Sequence, residues 1–131
     1  MPFRVLIVDD EPDLASLMCA FLADMNCAPE AVHEAEAAYA WCREQTPDLV
    51  FLDMHLGDQE GLTVFRQLRA LVPRLPVVVI SGMDAEDELV ASGIPQPHLF
   101  LQKPFGPVEI QAALERLLPP ASQSKAHGAG S

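Results

Sequence analysis

The sequence predicts a doubly wound α/β fold, with five parallel strands in one sheet and five helices covering both of its faces. Three observations predict it. Apolar runs of strand length recur at 5–8, 49–52, 77–80 and 99–101, and they are nearly continuous rather than alternating. That pattern suits strands covered on both faces. Between the runs lie amphipathic helical patterns, and strands alternating with helices imply a parallel sheet. Finally, 131 residues at 50% apolar content is the length of one domain with a core that needs no staple.

Each element has its own signal. The first run, 5–8, meets Asp9-Asp10-Glu11 at once, so it is a strand and not the core of a signal peptide. Leu14, Leu17, Met18, Phe21, Leu22 and Met25 then fall on one helical stripe, and Pro12 suits its first turn. A weaker strand is expected at 28–32, where Pro29 marks an edge or a strand start. Ala35, Ala38, Tyr39 and Cys42 give a second, alanine-rich helix, in which Tyr39 and Trp41 are expected to pack. After the strand at 49–52, a third helix carries Leu62, Phe65, Leu68 and Val72 and stops before Pro73. After the strand at 77–80, Asp84 caps a short fourth helix through about Ser92, with Gly93 past its end. The strand at 99–101 precedes a fifth helix opened by Pro107, with Ile110, Ala113, Leu114, Leu117 and Leu118 on one face. Pro119-Pro120 ends it, and the small, polar residues that follow read as a flexible tail. The domain is therefore expected at 1–118 and the tail at 119–131.

Charge and cysteines narrow the function classes. Nineteen acidic residues against eight basic ones give a formal charge of −11. That sign repels nucleic-acid phosphates and anionic membrane surfaces, so direct nucleic-acid binding is not expected. No apolar run approaches the ~20 residues a span needs, so membrane insertion is not expected either. Cys19, Cys27 and Cys42 are odd in number and lack zinc-site spacing, which fits buried thiols in a cytoplasmic protein.

In doubly wound sheets, sites lie at the carboxyl ends of the strands. There this sequence places Asp9-Asp10, Asp53, Ser81-Gly82 and Lys103-Pro104 in turn. Each alone reads as a helix cap or loop charge; together they read as one site. Clustered carboxylates repel one another, and a hard divalent cation resolves that repulsion. With such an ion, Asp53 can act as a nucleophile toward phosphorus, while Lys103 offsets the charge on the transferred group. Ser81 can donate to a phosphoryl oxygen.

These residues resemble the receiver domain of two-component response regulators, over about residues 3 to 118. The resemblance implies a flavodoxin-like sheet of strand order 2-1-3-4-5. It implies that Asp9 and Asp10 help hold Mg²⁺ (or Mn²⁺), that Asp53 takes phosphate from a kinase histidine, and that the His55 backbone carbonyl is a further metal ligand. Ser81 falls at the family's inward-turning hydroxyl and Phe100 at its switch aromatic. Lys103-Pro104-Phe105 matches the family's Lys-Pro-Phe, whose Lys-Pro bond is commonly cis. The implied partners are a sensor histidine kinase or phosphotransfer protein and a downstream protein. The only implied chemistry is the domain's own phosphorylation and dephosphorylation.

The match is not complete. Gly57 stands where the family often has Pro, and Glu60 where it often has Asp; neither change removes a catalytic group. The segment between Gly93 and Lys103 is a few residues longer than is usual in the family, as in receivers fused to hybrid sensor kinases. His55 and Met83 occupy seats that tune water attack on the phosphoaspartate. His55 as a zinc ligand lacks company, since His33, His98 and His127 are scattered. A docking or dimerisation module of the same fold that works without phosphate is the competing reading. A phosphohydrolase is disfavoured because His55, not an acid, stands two places after Asp53.

Overall fold

The computed structural model describes residues 2–56, 59–81 and 98–118. Five long strands form the sheet: β1 (Phe3–Val8), β2 (Cys27–Val32), β3 (Leu49–Asp53), β6 (Val77–Ser81) and β7 (His98–Gln102). Their order is β2-β1-β3-β6-β7, and every pairing is parallel. This is the order expected from the resemblance. A two-residue antiparallel ladder, β4 (His55–Leu56) with β5 (Gln59–Glu60), lies beyond β3 and was not expected. Four helices are described: α1 (Pro12–Asp24), α2 (Ala35–Glu44), α3 (Gly61–Leu71) and α4 (Pro107–Leu117). The helix expected at 84–92, the neighbouring Gly82, Met83 and Gly93, Gly57 and the tail at 119–131 lie outside the described residues.

The continuous apolar runs exist because the central strands are covered twice. All five residues of β3 and of β6 are buried. Alternate residues feed separate cores. Leu6, Val8, Val50, Leu52, Val77 and Val79 pack with α2 and α3 residues such as Ala38, Val64, Phe65 and Leu68. Val5, Ile7, Leu49, Phe51, Val78 and Ile80 pack with Ala15, Met18 and Leu22 of α1 and Ile110 and Leu114 of α4. Each fully buried aliphatic side chain contributes about 1.5–3 kcal/mol. Tyr39 is buried and Trp41 packs against the first core, as expected. Cys27 and Cys42 are buried as well, and Cys19 is half-buried.

One residue of the α1 stripe departs from expectation. Leu17 is 50% exposed, whereas Ala15, Met18 and Leu22 are buried. At about 100° per residue, Leu17 lies roughly 130° from the centre of that buried arc. The apolar stripe is thus wider than the face the sheet can cover. The turns obey local chemistry. Asn26 ends α1 at φ 65°, a left-handed conformation that Asn tolerates. Arg74, also at φ 65°, sits in the turn before β6, which the Arg69 Nε–H holds by donating to the Leu75 carbonyl at 2.7 Å.

Candidate functional site

Sheet register assembles the acids. Val8 of β1 pairs with Leu52 of β3, so the next residues, Asp9 and Asp53, come side by side at the carboxyl edge. Asp10 follows. Asp9, Asp10 and Asp53 each offer a carboxylate oxygen, and these three atoms all lie within 4.8 Å of one another. Asp9 and Asp53 are 0% and 1% exposed, while Asp10 faces solvent.

Two backbone amides and one ammonium partly satisfy the buried pair. The Glu11 N–H donates to Asp9 Oδ1 at 2.9 Å. The His55 N–H donates to Asp53 Oδ1 at 2.9 Å. Lys103 Nζ lies 3.4 Å from Asp53 Oδ2. Asp9 Oδ2 is buried and has no hydrogen-bond partner among the described residues. Burial therefore pushes the Asp9 carboxyl up to about 6; the neighbouring Asp53 charge adds to this, and the Glu11 N–H opposes it. A buried carboxylate oxygen without a donor, in a cluster of hard oxygen ligands, fits a hard divalent cation such as Mg²⁺ or Mn²⁺.

The lysine arrives from the other side of the sheet centre. The Lys103 N–H donates to the Ser81 carbonyl at 2.9 Å, which extends the β6–β7 pairing by one step and brings the side chain back over β3. The Lys103-Pro104 bond is cis. Burial alone would lower the Lys103 pKa, but the carboxylates of Asp53, Glu11 and Asp9 outweigh it and hold the ammonium above its ordinary value.

Ser81, the last residue of β6, is buried. Phe100 pairs with Val79, two residues before Ser81, so the strand period puts Ser81 and Phe100 on one face of the sheet. Phe100 is partly buried there against the α2/α3 core. The structure thus brings Asp9, Asp10, Asp53 and Lys103 together, with Ser81 at the same edge. His55 joins through its backbone amide, and its side chain is exposed.

Two neighbours of the site were missed in the sequence. Glu11 Oε1 lies 3.2 Å from Lys103 Nζ. Its place directly after the acid pair was the available signal. The His33 ring places Nδ1 2.9 Å from the Asp9 carbonyl, at the turn after β2. Nothing in its own surroundings, Val32-His33-Glu34, announces that contact.

Comparisons with known proteins converge on one family. The family model for the response regulator receiver domain matches residues 5–115. The probable transcriptional regulatory protein TcrX of Mycobacterium tuberculosis is 35% identical over 117 residues, covering 89% of this chain and 50% of that protein. The nitrogen assimilation regulatory protein NtrX of Azorhizobium caulinodans is 32% identical and is covered over only 26% of its length. The chain thus spans half or less of these two relatives. NtrX from Brucella abortus superposes with a TM-score of 0.82 at 31% identity, over 97% of this chain and 29% of that one. The receiver domain of a Pseudomonas aeruginosa sensor histidine kinase, whose own cleft holds a magnesium ion, shares the fold at 22% identity and a TM-score of 0.77, over 89% of this chain and 98% of that one. With the family model spanning most of the chain, over the fold and edge described above, this protein belongs to the response-regulator receiver domains of two-component signalling.

Proposed function

We propose that this receiver domain takes a phosphoryl group from a phosphohistidine onto Asp53 and relays the change through protein contacts. In the transfer a carboxylate oxygen of Asp53 attacks phosphorus. The bond from phosphorus to the donor nitrogen breaks, and that nitrogen keeps the electron pair and takes up a proton. The observation that carries the reading is the environment of Asp53: a buried carboxylate at a strand end, with an ammonium at 3.4 Å and two further acids within ligand distance.

Asp9, Asp10 and Asp53 would hold Mg²⁺ or Mn²⁺, joined by the His55 carbonyl. When bound, the ion neutralises charge on the phosphoryl oxygens. Lys103 supplies the second positive charge. Ser81 moves toward a phosphoryl oxygen and donates a hydrogen bond to it, and Phe100, on the same sheet face, turns into the space this movement leaves. The phosphate acts by biasing two arrangements of that face.

The upstream partner is a sensor histidine kinase or a phosphotransfer protein in the cytoplasm. The downstream partner is a protein, a reading supported by the charge of −11. Chemistry is confined to the domain's own phosphorylation and dephosphorylation. The proteins it resembles include a probable transcriptional regulatory protein and, in fold, the receiver domain of a sensor histidine kinase.

The test is incubation with phosphoramidate and Mg²⁺, read by intact mass. The wild type should gain one phosphoryl group, and Asp53→Asn should gain none. Equal uptake by Asp53→Asn, at any other residue, would sink the reading.

A further inference from the structure

Lys103 is shared between two carboxylates, and the exposed one is the nearer. Its Nζ is 3.2 Å from Glu11 Oε1 and 3.4 Å from Asp53 Oδ2. Glu11 holds the N-cap position of α1, where Ser, Thr, Asp or Asn would serve the helix best. Its side chain makes no capping bond. The Glu11 backbone does the local work instead: its carbonyl accepts the Ala15 N–H at 3.0 Å, and its own N–H donates to Asp9 Oδ1. The root of the side chain is thereby fixed at the rim of the acid cluster. From there the carboxylate, 60% exposed, reaches across the site mouth to a lysine that is only one-third exposed.

We propose that Glu11 detains Lys103 in the resting domain and so restrains phosphoryl capture at Asp53. This rests on the phosphoacceptor reading above. Once Asp53 carries a phosphoryl group, the charge that Lys103 must meet moves outward from the carboxylate to the phosphoryl oxygens. Glu11 is a competing acceptor for the same ammonium, and its contact must loosen before Lys103 can follow. Glu11 is thus a positioning residue acting through Lys103. Its effect is that of an exposed ion pair, a few-fold in an equilibrium constant.

Beryllofluoride, a phosphoryl mimic that needs the acceptor carboxylate and Mg²⁺, provides the test. Its affinity is read by ¹⁹F NMR in wild type, Asp53→Asn, Glu11→Gln and Glu11→Asp. Glu11→Gln removes the charge. Glu11→Asp keeps the charge but is one methylene too short for the contact. Both are expected to bind beryllofluoride about threefold more tightly than wild type, with unliganded thermal midpoints lower by no more than about 3 °C. A gain in Glu11→Gln alone would mean simple repulsion of the anion and would overturn the proposal. No gain in either variant overturns it as well. If the wild type shows no binding that Asp53→Asn removes, the phosphoacceptor reading falls too, and that result is distinct from the other two.

Discussion

Replacing Asp9 by Asn should stabilise the metal-free domain at neutral and alkaline pH. Burial holds the Asp9 carboxyl at about 6, against an ordinary 3.8. Between those values the folded chain binds more protons than the unfolded chain, so stability falls as pH rises across the window. The protonated acid's contribution is fully present below 3.8 and gone once pH has passed about 6. At ~1.36 kcal/mol per pKa unit, that gap is worth at most about 3 kcal/mol. Asparagine keeps an oxygen to accept the Glu11 N–H and carries no charge to desolvate. In chelator at pH 8 the variant should therefore melt up to about 10 °C above wild type. The two should converge near pH 4. Saturating Mg²⁺ should raise the wild-type midpoint more than the variant's, because the ion binds the folded acid cluster and mass action rewards that binding. Thermal denaturation followed by circular dichroism reads all of these. A variant less stable than wild type at pH 8 in chelator would refute the reasoning, since Asp9 would then be a net structural asset.

Other expectations follow from packing. At Gly61 an added Cβ would come within 2.7 Å of Met54 Cα and would also strike its sulfur, so Gly61→Ala should cost about 1–3 kcal/mol in urea denaturation. A cost near zero would mean that the start of α3 can shift freely away from Met54. Burial raises the pKa of all three thiols. Iodoacetamide at pH 7.5 should label half-buried Cys19 first, and Cys27 and Cys42 only at the rate of unfolding, as read by peptide mass. Equal labelling of all three in the native protein would contradict the packing.

The central strands were legible because burial on both faces leaves a mark that needs no partner to read. Leu49-Val50-Phe51-Leu52 is apolar throughout, and every residue of it is buried. The edge strand β2 was harder, since Pro29 and partial exposure blur its pattern, and it proved one residue longer than expected. The β4–β5 ladder is two residues a side, too short to carry a period. Leu17 shows the opposite failure: a helical stripe records which residues are apolar, not how wide a face its neighbours cover. Asp9, Asp53 and Lys103 could be gathered in advance because strand ends in such a sheet converge on one edge. The unsatisfied oxygen of Asp9 could not, because it depends on which backbone amides point inward. Nor could the Glu11–Lys103 contact, which joins residues 92 apart in the chain through two long, rotatable side chains.

The sheet divides the interior into two layers whose buried side chains are drawn from alternate positions of the same strands. Substitutions in opposite layers that lie more than about 10 Å apart should therefore combine additively. Phe51 and Leu52 are chain neighbours, yet they belong to different layers. By the same alternation Asp53 extends the row of Leu49 and Phe51, and Ser81 extends the row of Val77 and Val79. Repacking the α1/α4 layer is thus a handle on the acceptor's footing, and repacking the α2/α3 layer a handle on the hydroxyl's. An engineer could adjust how readily the domain is charged separately from how firmly it responds.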